Sequence, residues 1–306
     1  MLVAVALWVC ARPAVGQQPD SPEPEVAPEA LPRGELIDPV TSLTDPEHTY
    51  ALYVPTGTMD ERGWPVLFIL DARGRGALTA EYFREAAEVH GWIIASSNNS
   101  LSDGPAEPNV RAIKALLADM ERRFTVHPRR AYFAGFSGTA REVWSFGLAM
   151  PESVAGVIVA GGGYPLVVPP TAELPFAVFG AAGLTDFNYQ EMQTVADNLD
   201  TLDLPYRVEV FDGGHTWPPV AMCTAAVVWM ELQAMREGLW SRDDALVDSF
   251  HDRWMADARA LEEAGDPVGA YHGYQEVARD FAGLRDVQEA AEGAARLGAT
   301  EVVTTY

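Results

Sequence analysis

Cysteine is nearly absent: the 306 residues include 2, Cys10 and Cys223. If Cys10 leaves with an export signal, no internal disulfide can form and stability must come from a packed core. Cys223 falls in the apolar stretch Val220 to Met230, where it reads as a buried small hydrophobe rather than a nucleophile. Positive charge is scarce too. Lys and Arg number 21 against 44 Asp and Glu, a net charge of −23. Nucleic acid is excluded, since its phosphates require clustered basic side chains, and anionic membranes are disfavoured. Lysine occurs only as Lys114, a sign of coding bias rather than function. The apolar run Leu2 to Val9 falls well short of the ~20 residues that span a bilayer. Followed by Ala14-Val15-Gly16 before Gln17, it reads as a cleavable export signal over 1–16, although a basic leading segment is missing. Trp8 and Val9 are too bulky for a lipoprotein site at Cys10. No His, Cys, Asp or Glu cluster has metal-ligand spacing; His48, His90, His127, His251 and His272 are scattered. Neither a metal nor another cofactor is expected.

Nearly half the chain is apolar (48%), enough for one full-sized core and a small appendage. Residues 17–34 are proline-rich and acidic and read as a disordered tether. From Thr49 onward, strand-like runs alternate with helix-period segments: Tyr50 to Val54, Val66 to Leu70, Trp92 to Ala95, Tyr132 to Ala134, Val154 to Val159, Pro175 to Phe179 and Tyr206 to Phe211. That alternation predicts an α/β domain over 35–238, a mainly parallel sheet with helices on both faces. Val110, Ile113, Leu117, Met120 and Phe124 mark one helical face. Beyond Gly238 only helical periods remain, with Leu246, Phe250, Trp254 and Leu261 on one stripe and Val268, Tyr271, Tyr274, Val277 and Phe281 on the next. Gly265-Asp266-Pro267 separates them. This 239–306 module is expected to pack on the main domain or on a protein partner.

The chemistry concentrates in Ala134-Gly135-Phe136-Ser137-Gly138-Thr139, between a predicted strand and a predicted helix. A serine hydroxyl is a weak nucleophile. It gains reach on a tight strand-to-helix turn, where a base can approach it and backbone N–H groups can hold an oxyanion. Thr139 stands where the G-x-S-x-G pattern has its last glycine. Two later predicted strands are followed by loops carrying the other members of a triad: Asp186 in Ala182 to Asn188, then His215 in Asp212 to Pro218. In this arrangement His215 takes the Ser137 proton and Asp186 fixes the imidazole. Asp212 competes for the acid role but lies three residues before His215 on the same turn.

From about Tyr50 to Arg236 the chain resembles the α/β-hydrolase superfamily. Gly135-Phe136-Ser137-Gly138 and Gly213-Gly214-His215-Thr216-Trp217-Pro218 are similar to segments of secreted polyhydroxybutyrate-depolymerase-like, feruloyl and acetylxylan esterases. The resemblance implies Ser137 as nucleophile, Asp186 as acid and His215 as base. It departs after the third strand. Those esterases usually have a His-Gly pair there, and this chain has Asp71-Ala72-Arg73-Gly74-Arg75-Gly76. The loop reads either as a connection shaped by an Asp71–Arg73 pair, or as the source of the second oxyanion N–H from Ala72 or Arg73, with Arg73 or Arg75 receiving an anionic group. It lacks the Lys-Ser/Thr ending of a phosphate loop. The 252–297 stretch weakly resembles tetratricopeptide hairpins, with fewer than two repeats.

Phe187, Tyr189 and Trp217 flank the presumed site and are expected to line a substrate pocket, with Tyr164 near them; Trp144 reads as core. Ser96 to Ser100 is either a polar rim of the site or a plain loop. Gly138 supplies the first oxyanion N–H. The expected activity is ester cleavage through an acyl-enzyme on a small-molecule or polymer-linked ester, in an exported, periplasmic or extracellular protein. A peptidase or amidase of the same fold, and an inactive scaffold acting through its helical tail, are the alternatives. A scaffold would have no need of the Ser, Asp and His together.

Overall fold

The computed structural model describes residues 31–59 and 61–305. The export signal, Cys10 and the tether up to residue 30 lie outside the described residues. The strands are β1 (Leu36–Thr41), β2 (Thr49–Tyr53), β3 (Trp64–Leu70), β4 (Ile93–Ser97), β5 (Val126–Phe136), β6 (Val154–Ala160), β7 (Ala177–Gly183) and β8 (Tyr206–Phe211). They form one 8-stranded sheet in the order β1-β2-β4-β3-β5-β6-β7-β8. β3 to β8 pair in parallel, whereas β2 is antiparallel to both β1 and β4.

Parallel strands need crossovers, and helices provide them: α1 (Gly76–His90), α2 (Glu107–Arg123), α3 (Gly138–Ala149), α4 (Tyr189–Thr201) and α5 (Val220–Arg236). Because successive strand residues face opposite ways, β3 feeds two cores. Val66, Phe68 and Leu70 join α2, α3 and α4 through Ile113, Leu116, Met120, Val143, Trp144, Met192 and Val195. Leu67 and Ile69 join α1 and α5 through Phe83, Ala87, Val227 and Trp229. On α2 the buried face centres on Ile113, Leu116 and Met120; Val110 and Leu117 are half-buried at its edge. Cys223 is buried, and burial pushes its thiol up to about 12.

The C-terminal helices are α6 (Asp244–Glu263), α7 (Pro267–Asp280), α8 (Gln288–Gly298) and α9 (Glu301–Thr304). Asp243 caps α6 by accepting from Leu246 N–H at 3.0 Å, and Asp266 caps α7 by accepting from Gly269 N–H at 2.9 Å. The apolar stripe packs largely as expected, joined by Leu232 and Met235 from α5, but Leu261 is exposed. Arg207 of β8 binds Glu276 and Asp280 of α7, both at 3.0 Å, and its guanidinium lies 4.3 Å from the Trp254 ring centre. The helices thus pack against α5 and the sheet's β8 edge. Among the described residues, no helix is long and apolar enough to cross a membrane.

Candidate active site

β5 ends at Phe136 and α3 begins at Gly138, so Ser137 alone makes the turn. Its backbone sits at φ 60° and ψ −123°, a strained combination that presents the hydroxyl at the end of the sheet. Gly135 makes room for it, since a Cβ there would lie 2.5 Å from the Thr139 carbonyl oxygen. Ser137 N–H donates to Ala160 O at 2.8 Å, tying the turn to β6. Thr139 is buried, and its hydroxyl donates to Leu70 O at 2.6 Å and accepts from Phe136 N–H at 3.0 Å. The residue that breaks the glycine pattern therefore links the elbow to β3. Thr139→Val removes the hydroxyl from both bonds and is expected to lower stability by about 1 kcal/mol in urea unfolding; an unchanged midpoint would contradict this link.

The loops after β7 and β8 bring the other two residues to the serine. His215 Nε2 is 2.9 Å from Ser137 Oγ, and its Nδ1 is 2.9 and 3.0 Å from the two oxygens of Asp186. Asp186 is buried and also accepts from Asn188 N–H at 2.8 Å, while Asn188 Nδ2 donates to Gly161 O at 2.7 Å. Asp212, the competing carboxylate, is exposed. Behind these residues runs Gly161-Gly162-Gly163 after β6, which no sequence motif singled out. A Cβ on Gly162 would sit 2.5 Å from the Ser137 carbonyl oxygen, so only glycine fits that close passage. Glu191 accepts from Gly163 N–H at 2.9 Å and pairs with Arg141 at 2.5 Å, joining α3, α4 and the glycine run beside the serine.

The loop after β3 departs from its expected pairing. Asp71, fully buried, accepts from Arg73 N–H at 3.0 Å, Arg75 N–H at 3.2 Å, Trp217 Nε1 at 2.8 Å, and Arg75 Nε and Nη2, both at 2.8 Å. Burial opposes its ionisation, but donors from Arg75, Trp217 and the two backbone amides outweigh it and hold the carboxyl below the usual range. Two expectations change, both about Arg73. Arg73 N–H is already bonded to Asp71, so it is not a free oxyanion donor. Ala72 N–H has no acceptor among the described residues, and the first turn of α3 leaves Gly138 N–H unpaired within the helix. Arg75, and not Arg73, holds Asp71, which leaves Arg73 as the exposed arginine of the loop.

Trp217 is a correction as well. It is 4% exposed, wedged with its ring centre 6.1 Å from Phe83 and 5.8 Å from Phe136, so it supports the site from the core. Through its bond to Asp71 it joins the loop of His215 to the loop of Ala72. Ser96 and Ser97 belong to β4 and are buried, and Ser100 Oγ donates to Asp71 O at 2.8 Å; this segment braces the same loop.

No protein-family model matches the chain, and no curated protein matches its sequence. Solved structures do match. The Staphylococcus aureus fluorophosphonate-binding serine hydrolase F, with substrate bound, is 15% identical with a TM-score of 0.50, covering 60% of this chain and 92% of that one. A thermostable esterase is 20% identical with a TM-score of 0.50, covering 64% of this chain and 62% of that one. At such identities the likeness speaks to architecture alone. The chain has the α/β-hydrolase fold.

On this hydrolase fold, ligand sites lie beyond the carboxyl ends of the strands, where all three residues meet. Phe187 is 77% exposed with its ring centre 4.1 Å from that of His215, while Tyr189 is half-buried at the start of α4 and packs against the core. Trp144 is core, and Tyr164 packs 5.5 Å from it. Among the described residues, no three His, Cys, Asp or Glu side chains converge on a metal position.

Ser102 and Asp103 approach Gly138, and Ser102 N–H donates to Ala72 O at 3.0 Å. Asn109 holds this segment by accepting from Leu101 N–H at 2.9 Å and donating to Leu101 O, and it donates to Glu142 as well. Burial pushes Glu142 up to about 7, against the Asn109 hydrogen bond. A carboxyl whose folded pKa is raised binds its proton more tightly when folded. Its penalty is absent below its ordinary 4.5 and grows until about pH 7. Glu142→Gln is therefore expected to gain stability relative to wild type as pH rises through that window; parallel melting curves for the two would contradict it.

Proposed function

We propose that this protein is a serine hydrolase that cleaves carboxylic esters through an acyl-enzyme on Ser137. The observation that carries the reading is the continuous hydrogen-bonded line from Ser137 Oγ through His215 to Asp186, at a strained strand-to-helix turn. As Ser137 Oγ attacks the carbonyl carbon, His215 Nε2 accepts its proton. Asp186 holds Nδ1–H and stabilises the imidazolium. The tetrahedral oxyanion receives N–H donors from Ala72 and Gly138, each contribution of this kind being worth about 10²–10³ in turnover. Collapse breaks the bond to the alcohol oxygen, which leaves with the proton from Nε2. Water then attacks the acyl carbon, gives a proton to His215, and the acid departs as Ser137 is restored.

The match to a serine hydrolase with substrate bound and to an esterase supports this choice of chemistry. Export is part of the proposal and rests on the pattern of residues 1–16. Pre-steady-state hydrolysis of an activated aryl acetate tests the mechanism. A burst of about one phenol per protein, followed by slower turnover, is expected. No turnover by folded protein would overturn the reading.

A further inference from the structure

Six of the exposed large apolar side chains follow strands at the catalytic end of the sheet. Leu101 follows β4, Leu166, Val167 and Val168 follow β6, and Leu184 and Phe187 follow β7. Leu166 and Val167 are each 89% exposed, adjacent in sequence, and flanked by Pro165, Pro169 and Pro170. Soluble surfaces usually carry such residues singly, and a run of them marks a contact surface. The segment is not fraying chain. Tyr164, Leu174 and Phe176 anchor its two ends in the core, Asn198 Nδ2 donates to Tyr164 OH at 2.5 Å, and Val168 N–H closes a turn on Pro165 O at 2.8 Å. Its base is Gly161-Gly162-Gly163, which touches the catalytic residues. Leu166 lies four residues past Gly162, within ~14 Å by chain length. Phe187, exposed on the loop after β7, has its ring centre 4.1 Å from that of His215.

We propose that the Pro165 to Pro170 lip, with Phe187, seats the active site on the surface of water-insoluble, uncharged esters. This rests on the ester-hydrolase reading and narrows its substrate class to aggregated neutral esters. Charge selects the occupant. The lip, Tyr164 to Pro170, has no ionisable group other than the tyrosine, on a chain of net charge −23. An uncharged surface accepts the apolar lip without repelling the acidic body, whereas an anionic bilayer repels it. Proline on both sides limits the ordering cost of contact.

Adsorption separates this proposal from catalysis. Wild type, Ser137→Ala and the double variant Leu166→Ser with Val167→Ser are mixed with tributyrin droplets, and bound protein is measured after flotation. Ser137→Ala is expected to adsorb like wild type, and the double variant at least about tenfold less. Hydrolysis of soluble aryl acetate should agree within about twofold between wild type and the double variant, while tributyrin hydrolysis falls about tenfold. Both side chains face solvent, so the folded state tolerates serine there. Equal adsorption of wild type and double variant would overturn the proposal, as would stronger adsorption to anionic than to neutral vesicles. Sedimentation showing a dimer that the double variant loses would assign the lip to a second copy instead and overturn it too. Lip-dependent adsorption without turnover on any ester would leave the lip's role standing and refute the catalytic reading.

Discussion

Ser137→Ala is expected to lower ester turnover by a factor on the order of 10⁶, with binding of the ester largely retained. The size follows from the geometry. His215 Nε2 at 2.9 Å has no other nucleophile to activate, and Asp186 acts only through the imidazole. His215→Ala should cost a similar factor, and the Ser137–His215 double variant should be hardly worse than either single change, because the residues work as one unit. Circular dichroism should show all of these variants folded, since Ser137 makes its structural bonds through its backbone. Multiplicative losses in the double variant, or turnover near wild type in either single one, would refute the assignment.

Asp71→Asn is the second large effect, and it acts on both stability and turnover. Asn cannot accept all the donors that converge on Asp71 from Arg73, Arg75 and Trp217, and its own NH₂ opposes one set of them. Arg75, with its side chain 39% exposed, can turn to water, so the cost comes from the buried hydrogen bonds that are lost and is expected to be about 1–3 kcal/mol in urea unfolding. The turn that frees Ala72 N–H depends on those same bonds, so turnover should fall by ~10²-fold with a smaller change in KM. The pH dependence is specific. Asp71 has a folded pKa below its unfolded value, so its contribution is complete above about pH 3.9 and is lost as pH falls through the folded value. The wild-type advantage over Asp71→Asn should shrink below pH ~4. A pH-independent difference, or wild-type kcat in the variant, would separate Asp71 from the site.

The seven strands from β2 to β8 were legible because strands buried on both faces, parallel or, like β2, antiparallel, read as short apolar runs between helix-period segments. β1 was not: Leu36–Thr41 contains Asp38 and Pro39, and it is an edge strand paired with β2 alone. The order of Ser137, Asp186 and His215 was legible from the loops that follow their strands. What joins those loops was not. Trp217 reads as a loop aromatic, yet its indole is buried by Phe83 and Phe136, which are far from it in sequence. Arg73 and Arg75 look equivalent in the loop, and only the fold of the turn decides that Arg75 reaches Asp71. Gly161-Gly162-Gly163 could have been noticed as three consecutive glycines after a predicted strand, a mark of close backbone approach. Leu261 shows the limit of helical periodicity: it shares the stripe of α6 but lies near its end, where the neighbouring helix leaves it exposed.

The central claim is that Ser137 is an activated nucleophile. The most direct measurement is labelling of the purified protein with a fluorophosphonate probe, wild type beside Ser137→Ala, with the modified residue located by mass spectrometry. The account predicts one adduct, on Ser137, absent from the variant and suppressed in His215→Ala. Folded wild-type protein that takes no label, or takes it on another residue, would contradict it.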